Sequence, residues 1–511
     1  MMFNEGTLKV FNKIFGAQFS IFFFRMDKLV ELMGLEKKEN MDKKSRRKFG
    51  SHFTSIEIFE TYIFPQIKND LDKYIWVDLF AGEGNLVLPI LKHIPLEKRE
   101  IYFRNRIFLF DIQENIVQKC IKNAQLYGIS ENTAKGNIIV RDNLEDYPKF
   151  LLRKKLPVFH ITNPPYLYLG YIRKQKDTQK YLKLFNAQNN GYQDLYQLAL
   201  MNDLHNGIEN LIYVIPSNFL FGASVSNKFR KDFLLHYTIY KVVIFETKVF
   251  EFTGTNICIT FLRKKHIPKE EIITFQGIKI KQGNKFLEKE YRLDPKNYYR
   301  AGSIFTDFLN AYQTKKPLEV NYYLLKKEVL ENRGPFEIQA IDANQYANNN
   351  YRKLLLRVNK ELKEKIKNNI LYVRTLDSGR YEGRVGLGII KDDFNVSAIY
   401  VSGNTYRTHP IQIFFKPIIS IELQLIIQKY FNYILEDFRK KTDSEFLTTY
   451  KYSQALYTRK YLGLTQTRKL IETFPFNSLT SHEIEILEQY ISNDKFDNLT
   501  NFLINLKERQ K

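Results

Sequence analysis

The chain has 511 residues, of which 44% are hydrophobic, and this composition indicates a globular protein with room for two to four domains of about 150 residues. Its 78 Lys and Arg residues exceed its 56 Asp and Glu residues, giving a formal charge of +22. Because this charge is spread along the chain rather than clustered beside an apolar segment, it favours nucleic acid as a partner and argues against a membrane anchor.

Two cysteines, Cys120 and Cys258, are too few for a disulfide framework or a zinc cluster, and no metal site is apparent in the sequence. The apolar run "AQFSIFFF" near the N-terminus is far shorter than the ~20 residues that a membrane helix needs. No small-residue cleavage site follows it. We therefore expect a cytoplasmic protein in a reducing compartment, with no membrane partner.

The first predicted element is a helix in "FTSIEIFETYIFPQI", where apolar residues recur at helical spacing and Thr54 or Ser55 can act as the cap. The next stretch, "YIWVDLFAGEGNLVLPILKHI", combines an apolar strand, a glycine-bearing turn and an amphipathic helix. The stretch "RIFLFDIQENIVQKCIKNAQLYG" repeats this order. Its strand ends at Asp111, and Gly128 closes its helix.

Further strands are predicted in "NIIVRDNLEDY", "LPVFHITNPPY", "LIYVIPSNFL" and "YKVVIFE". The first of these strands is predicted to end at Asp142. Alternating strands and helices predict an α/β fold with an open, mostly parallel, doubly wound sheet that binds ligands at the carboxyl ends of its strands. Beyond about Lys265 the pattern changes to hairpin-like strands and mixed helices. This change predicts a second domain of α+β character, with the junction between residues 262 and 300.

The first glycine-bearing turn, "DLFAGEGN", places Asp78 at a strand tip and lets the backbone at Gly82 and Gly84 approach a ligand closely. Asp111 follows 33 residues after Asp78 and can accept hydrogen bonds from both hydroxyls of a ribose. This gap exceeds the ~20 residues of the dinucleotide fingerprint, and the third glycine is missing. An adenosyl ligand without a pyrophosphate fits better, although a tight turn or a solvated strand end would account for each feature alone.

Two further residues complete this predicted ligand site. Asp142 can receive the exocyclic amine of the ligand's adenine, and Ile112 can lie against the face of that ring.

The stretch "FHITNPPYLYLG" leaves an apolar strand for an Asn and two prolines. Consecutive prolines fix two φ angles and remove two N–H donors, so the carbonyls around Asn163 and Pro164 cannot join a regular ladder or a helix. The segment is therefore either a stiff turn or a rigid set of hydrogen-bond acceptors for a ligand.

Together these motifs resemble those of S-adenosylmethionine-dependent methyltransferases that act on the amino group of DNA adenine. The resemblance covers about residues 46 to 264, in eight ordered motifs: "RRKFGSHFTS", "DLFAGEGN", "FLFDIQ", "VRDNLE", "NPPY", "QDLYQLAL", "VIPSNFLFGASVSNKFRKDFL" and "KVFEFTGTNICITFLRK". It implies a Rossmann-like sheet that binds S-adenosyl-L-methionine. The implied cofactor-binding residues are Phe53, Thr54, Asp78, Phe80, Ala81, Gly82, Gly84, Asn85, Asp111, Ile112, Asp142 and Asn143.

The resemblance also implies the catalytic residues, which are Asn163, Pro164, Pro165, Tyr166 and Phe250, with Phe252 as the substitute for Phe250. The Asn163 side-chain oxygen and the Pro164 carbonyl would accept the N–H groups of a flipped-out adenine and hold its nitrogen lone pair toward the methyl group. Tyr166 and Phe250 would stack on the base.

The order of the motifs implies the domain plan. Residues 85 to 163 are filled by predicted strands and helices, so a target-recognition domain must lie in the C-terminal half, as in the gamma group of these enzymes. We expect an N-terminal extension over 1–45, a catalytic domain over 46–265 and an α+β target-recognition domain over 266–511. We expect a monomer that binds double-stranded DNA, and the sequence leaves open whether a cognate restriction endonuclease is a second partner.

Other methyltransferase activities fit the sequence less well. Cytosine-C5 methylation needs a thiolate, usually in a Pro-Cys pair, and neither Cys120 nor Cys258 follows a proline. Cytosine-N4 enzymes usually carry Ser in place of Asn163. Ribosomal RNA and protein-glutamine N-methyltransferases share the Asn-Pro-Pro-Tyr motif and remain the alternative, although they lack a large basic C-terminal domain. A non-catalytic DNA-binding protein would require a broken cofactor motif.

Overall fold

A computed structural model describes residues 55–223, 225–247, 249, 256–281, 285–377, 384–405, 408–449 and 460–509. The predicted N-terminal extension and the predicted site residues Phe53, Thr54 and Phe250 lie outside the described residues, as does Phe252.

The strands of the described residues form four sheets. In chain order they are β1 (Ile75–Asp78), β2 (Ile107–Asp111), β3 (Ile138–Val140), β4 (Val158–Thr162), β5 (Asn210–Pro216), β6 (Tyr237–Phe245), β7 (Ile257–Lys264), β8 (Ile273–Lys281), β9 (Lys285–Leu293), β10 (Glu319–Tyr322), β11 (Leu324–Leu325), β12 (Phe336–Ala347), β13 (Asn350–Val358), β14 (Leu371–Arg374), β15 (Leu376–Asp377), β16 (Gly386–Ile389), β17 (Ala398–Val401), β18 (Ile411–Lys416), β19 (Thr448–Thr449) and β20 (Lys460–Tyr461).

Helices connect and cover these sheets. The α-helices are α1 (Ile56–Ile58), α2 (Phe64–Ile67), α3 (Leu96–Arg106), α4 (Glu114–Leu126), α5 (Glu131–Asn137), α6 (Leu169–Ile172), α7 (Leu195–His205), α8 (Asn218–Phe221), α9 (Asn227–Leu234), α10 (Ile304–Tyr312), α11 (Lys326–Glu331), α12 (Lys360–Lys367), α13 (Ile390–Phe394), α14 (Ile421–Thr442), α15 (Leu464–Ile471), α16 (Ser481–Ser492) and α17 (Phe496–Arg509). A π-helical turn (Phe59–Ile63) joins α1 to α2, and 3₁₀ segments cover Leu88–His93, Lys149–Arg153, Lys176–Phe185, Ala187–Asn189 and Pro295–Asn297.

The largest sheet has nine strands in the order β3-β2-β1-β4-β5-β7-β6-β8-β9. Its first five strands are parallel, as the sequence predicts for a doubly wound sheet. The remainder is mixed, because β7 pairs antiparallel with both β5 and β6. The chain therefore has a mixed α/β fold, in which antiparallel strands extend a parallel half.

A separate hydrophobic core packs against each face of this sheet. Ile75 and Val77 of β1 point into one core, and Trp76 between them points into the other. The same alternation recurs in β2, where Phe108 and Leu109 belong to opposite cores. Two buried faces explain why the sequence of these strands is continuously apolar rather than alternating.

Three local predictions differ from the structure. The predicted amphipathic helix after the glycine turn is a short 3₁₀ segment, Leu88–His93, which ends two residues before Pro95. The third strand ends at Val140, so Asp142 lies two residues beyond it. The sheet continues through β8 and β9 to Leu293, and the predicted boundary after residue 265 therefore falls between two of its strands.

After β9, two four-stranded sheets carry the chain, in the orders β10-β18-β14-β16 and β11-β17-β12-β13. The 22-residue helix α14 contributes Ile427, Phe431 and Leu435 to a third core, which it shares with α10 and the C-terminal helices.

A buried charge network joins this part of the chain to the nine-stranded sheet. The Lys279 side chain on β8 is 1% exposed, and its ammonium group contacts Asp443 Oδ2 at 2.7 Å and the Glu445 carboxylate. Tyr291 on β9 donates a hydrogen bond to Glu445 Oε1 at 2.6 Å. Both carboxylates follow α14, so this network ties the C-terminal part to the edge of the sheet.

Within the described ranges, no helix has both the length and the apolar character that crossing a membrane requires.

Candidate active site

The carboxyl ends of β1, β2 and β4 meet at one edge of the sheet. Asp78 pairs in register with Leu109, two residues before the end of β2, and Val77 pairs with His160, two residues before the end of β4. This register brings the end of β1 beside Thr162 and the Asn-Pro-Pro-Tyr segment that follows β4.

Asp78 connects the glycine turn to that segment. Its side chain is 1% exposed, and Oδ1 accepts hydrogen bonds from the Phe80 N–H at 2.9 Å and the Thr162 hydroxyl at 2.5 Å. Burial raises the pKa of this carboxyl from 3.8 to about 6, against the opposing effect of the Thr162 hydrogen bond. A buried carboxyl with a raised pKa at a strand end is typical of a functional site.

Backbone donors of the glycine turn point toward the second strand. The Ala81 N–H donates to the Phe110 carbonyl at 2.7 Å, and the Gly82 N–H donates to Asp111 Oδ2 at 3.0 Å. Gly84 has a φ of +87°, and an added Cβ would lie 2.5 Å from Leu88 Cδ1 and 2.9 Å from Cys120 Sγ. Packing against the following segment, together with φ, therefore requires glycine at this position.

Asp111 is held from both sides at the end of β2. Its Oδ1 accepts the Gln113 N–H at 2.9 Å, while Oδ2 accepts the Gly82 N–H. Burial raises the pKa of Asp111, with these hydrogen bonds opposing the shift. The adjacent Ile112 is 42% exposed, an unusual position for an isoleucine and one that leaves its apolar face open at this edge.

The third strand end places Asn143 against the glycine turn. Asn143 is 2% exposed and donates from Nδ2 to the Leu79 carbonyl at 2.6 Å. Its Oδ1 is buried and has no hydrogen-bond partner among the described residues. Asp142 is half-buried, and its Oδ1 accepts the Leu144 N–H at 3.2 Å.

The Asn-Pro-Pro-Tyr segment has no regular secondary structure and is partly covered. Pro164 is buried, whereas Asn163, Pro165 and Tyr166 are half-buried. The Tyr166 hydroxyl lies within reach of two acceptors, the Val214 carbonyl at 2.6 Å and Asn163 Oδ1. Burial raises the pKa of Tyr166 well above its usual value, so the phenol keeps its single proton and donates it to one acceptor at a time.

A buried polar network beneath the site did not emerge from the sequence. His160 lies on β4, and its Nε2 accepts a hydrogen bond from the Leu79 N–H at 3.1 Å. The ring proton therefore lies on Nδ1, which is 2.7 Å from Asp203 Oδ2. Asp203 on α7 also accepts hydrogen bonds from Tyr147 at 3.0 Å and from Tyr213 at 2.6 Å. The available signal was the histidine in the otherwise apolar strand "VFHIT".

The comparison with protein families decides the assignment. Residues 38–354, more than half of the chain, match the family described as N-6 DNA methylase. The chain belongs to the N-6 DNA methylase family. The strand-end residues described above all lie within the matched range. This membership does not favour the ribosomal RNA and protein-glutamine alternatives.

Several solved structures resemble this N-6 DNA methylase. The type IIL restriction-modification enzyme MmeI in complex with DNA has a TM-score of 0.47 and 14% identity over 92% of this chain and 76% of that chain. The methyltransferase subunit of a type I restriction-modification system from Streptococcus thermophilus has a TM-score of 0.35 and 14% identity, over 52% of this chain and 59% of that one. The M protein of the type I restriction enzyme EcoKI has a TM-score of 0.34 and 12% identity, over 62% and 64%.

The chain thus spans less than two thirds of the length of the two type I subunits. No curated protein matches the chain by sequence.

Proposed function

We propose that this N-6 DNA methylase transfers a methyl group from S-adenosyl-L-methionine to the N6 amine of a flipped-out adenine in duplex DNA, as the modification part of a restriction-modification system. The observation that carries the proposal is the Thr162–Asp78 hydrogen bond, because it holds Asn163 beside the glycine turn. Methyl donor and acceptor amine would then share one sheet edge.

The residues at this edge fit an adenosyl cofactor. Each Asp111 oxygen accepts one backbone N–H and keeps a second lone pair for a ribose hydroxyl. The exposed face of Ile112 suits one side of an adenine ring, and the buried Asn143 Oδ1, which has no partner in the described part of the chain, offers an acceptor. Asp78 and Asp111 also supply negative charge for a cationic ligand. When bound, the cofactor supplies an electrophilic methyl group on sulfur.

The chain's own contribution to the reaction is a pair of fixed acceptors. An adenine amine is a poor nucleophile because its lone pair is conjugated into the ring. The Asn163 side-chain oxygen and the Pro164 carbonyl can each accept one N–H, which favours a pyramidal nitrogen with its lone pair directed at the methyl group. The two prolines hold these acceptors before the substrate arrives, and one such positioned group is worth ~3 kcal/mol in the transition state.

Tyr166 gives Asn163 an exchangeable partner. In the absence of substrate the Tyr166 hydroxyl can donate to Asn163 Oδ1 and keep the amide oriented. When an adenine N–H takes that position, the hydroxyl proton can rotate to the Val214 carbonyl at 2.6 Å. Asn163 Oδ1 then still accepts a hydrogen bond, and the Tyr166 hydroxyl still donates one. The cost of admitting the base is thereby reduced.

Duplex DNA is the substrate that the whole chain suits best. The paired amine of adenine is inaccessible until the base leaves the stack, which costs a few kcal/mol that aromatic stacking must offset. Tyr166, and Phe250 by the motif resemblance, would supply that stacking. The charge of +22 supports backbone contacts along the duplex, and we assign target recognition to the C-terminal half.

The test offers methyl-labelled S-adenosyl-L-methionine to the purified protein with duplex DNA, RNA or protein substrates in parallel. Label should enter duplex DNA. Label that enters only RNA or only protein would contradict the proposal. Calorimetric titration with the cofactor alone separates a failure of cofactor binding from a wrong substrate.

A further inference from the structure

We infer that the β12–β13 hairpin inserts its tip, residues 344–353, into the major groove of duplex DNA and reads base edges there. The inference rests on the proposed function, since it names the element that selects the methylated site. Five features of the hairpin carry it: its turn, its bulge, its anchoring, its dimensions and its side-chain chemistry.

The turn at the end of the hairpin is short and well defined. Ala347 pairs with Asn350, which leaves a two-residue connection of Asn348 and Asn349. Their φ angles are +49° and +63°, as a type I′ turn requires, and Asn is one of the residues that tolerate this conformation. The turn therefore presents two amide side chains at the far end of a regular ribbon.

A bulge separates this tip from the rest of the sheet. The register passes from Asp342 opposite Arg352 to Tyr346 opposite Tyr351, so three residues of β12 have no counterpart on β13. Bulges of this kind bend a strand and turn its side chains in a new direction.

The bulge is anchored to the neighbouring loop after β17. Asn344 Oδ1 accepts the Gly403 N–H at 2.8 Å, and its Nδ2 donates to the Asn404 carbonyl at 3.1 Å. The Tyr351 hydroxyl donates to the His409 carbonyl at 2.9 Å. Because these hydrogen bonds fix the root of the hairpin, the tip would need less ordering when it binds DNA.

The dimensions of the tip match the major groove. The two to three residues from Tyr346 to the turn extend about 8 Å at ~3.3 Å per residue, close to the ~8.5 Å depth of the groove. Two strands ~4.8 Å apart, with their side chains, fit a groove that is about 12 Å wide.

The side chains of the tip are those that recognise bases. Residues 343–360 contain no Asp or Glu, although the chain as a whole has 56. The tip is rich in amide side chains and carries two cations, Arg352 and Lys353, which are both exposed. Amide and guanidinium groups can form paired hydrogen bonds with adenine and guanine edges. The exposed members besides the anchoring Asn344 are Gln345, Asn348, Asn349, Asn350, Arg352 and Lys353.

Charge and polarity favour DNA over a protein partner. The structure describes all of residues 344–353. Among them, Tyr346 is the one large hydrophobic side chain with more than a third of its surface exposed, at 57%. A single such side chain is too little for the apolar centre of a stable protein interface. An acid-free, amide-rich and cationic ribbon is instead complementary to a phosphate-lined groove.

The experiment compares methylated sequences across a library of randomised duplexes, read by methylation-sensitive sequencing. The first variant, Asn348→Gly with Asn349→Gly, removes both amide side chains and keeps a turn that glycine favours. The second pair is Arg352→Ala and Arg352→Lys, the latter retaining charge without the guanidinium fork. Arg104→Ala is the matched control, since Arg104 is an exposed arginine in the last turn of α3, which lies outside the hairpin and the strand ends of the candidate site.

The hairpin variants should accept an altered set of sites, with discrimination at one or two base positions falling by about tenfold or more, while the best substrates keep their methylation rate. Arg104→Ala should keep the wild-type site. Unchanged site preference in all three hairpin variants would overturn the inference, and so would a uniform loss of affinity for every sequence. If the wild-type protein methylates no duplex, the proposed function itself fails.

Discussion

Asp78 provides the sharpest test of the site's electrostatics through Asp78→Asn. The folded pKa of about 6 exceeds the ordinary value of 3.8 because the carboxyl is buried, so its ionised form destabilises the fold. Below pH 3.8 both folded and unfolded states are protonated and there is no penalty. The penalty grows as pH rises through about 6 and reaches ~3 kcal/mol, from about two pKa units at ~1.4 kcal/mol each.

Urea denaturation at pH 4.5 and pH 7.5 measures this effect. Of the ~3 kcal/mol, about 2 kcal/mol develops between these two pH values. The free energy of unfolding of the wild type should therefore fall by about 2 kcal/mol more than that of Asp78→Asn over this interval, since other titrating groups are common to both. The side-chain oxygen of the introduced Asn can still accept hydrogen bonds from the Phe80 N–H and the Thr162 hydroxyl.

Asp146→Asn is the matched control, because the Asp146 side chain is 72% exposed and its ion pair with Arg141 lies at the surface. The free energy of unfolding of this control should change between the two pH values by the same amount as that of the wild type. Identical pH dependence in the wild type and Asp78→Asn would refute the assignment of Asp78 as a carboxyl destabilised by burial.

Three further predictions concern packing, the buried charges and the catalytic tyrosine. Gly84→Ala should lower the free energy of unfolding by ~1–3 kcal/mol because its φ is positive and its Cβ would overlap Leu88, whereas Gly136→Ala, with open space around it in α5, should not destabilise; equal effects would contradict this account. Lys279→Met should lower the free energy of unfolding in urea denaturation by ~1–3 kcal/mol, because the buried Glu445 carboxylate loses one cation and keeps Lys289 as a partner; the more exposed Lys281→Met should lower it clearly less. Tyr166→Phe should keep a stacking face but slow methyl transfer about tenfold by removing one hydrogen bond that orients the Asn163 side chain, with cofactor affinity unchanged by calorimetry; an unchanged rate would remove the hydroxyl from the proposal.

The strand ends of the parallel half were predictable because buried parallel strands are continuously apolar and end in conspicuous polar residues. "YIWVD" and "RIFLFD" end at Asp78 and Asp111 as predicted. The position of β7 between β5 and β6 was not predictable in the same way, since the order of antiparallel strands depends on contacts distant in the sequence.

Residues that act through long-range contacts also escaped prediction. Lys279 looks like any surface lysine until folding places it beside Asp443 and Glu445, more than 160 residues away. Asp203 similarly appears as one acid in a helix, although it supports His160 beneath the site. The roles of the predicted site residues toward cofactor and base remain predictions that binding and activity measurements must test.

The proposed role of Asn163 and Pro164 is to direct an adenine amine toward a methyl donor. Its most direct test is mass spectrometry of nucleosides from duplex DNA treated with S-adenosyl-L-methionine and either the wild type or Asn163→Ala. The wild type should yield N6-methyladenine, and Asn163→Ala should lose about 100-fold or more in rate while still binding the cofactor. A different methylated base, or an Asn163→Ala variant as fast as the wild type, would contradict the account.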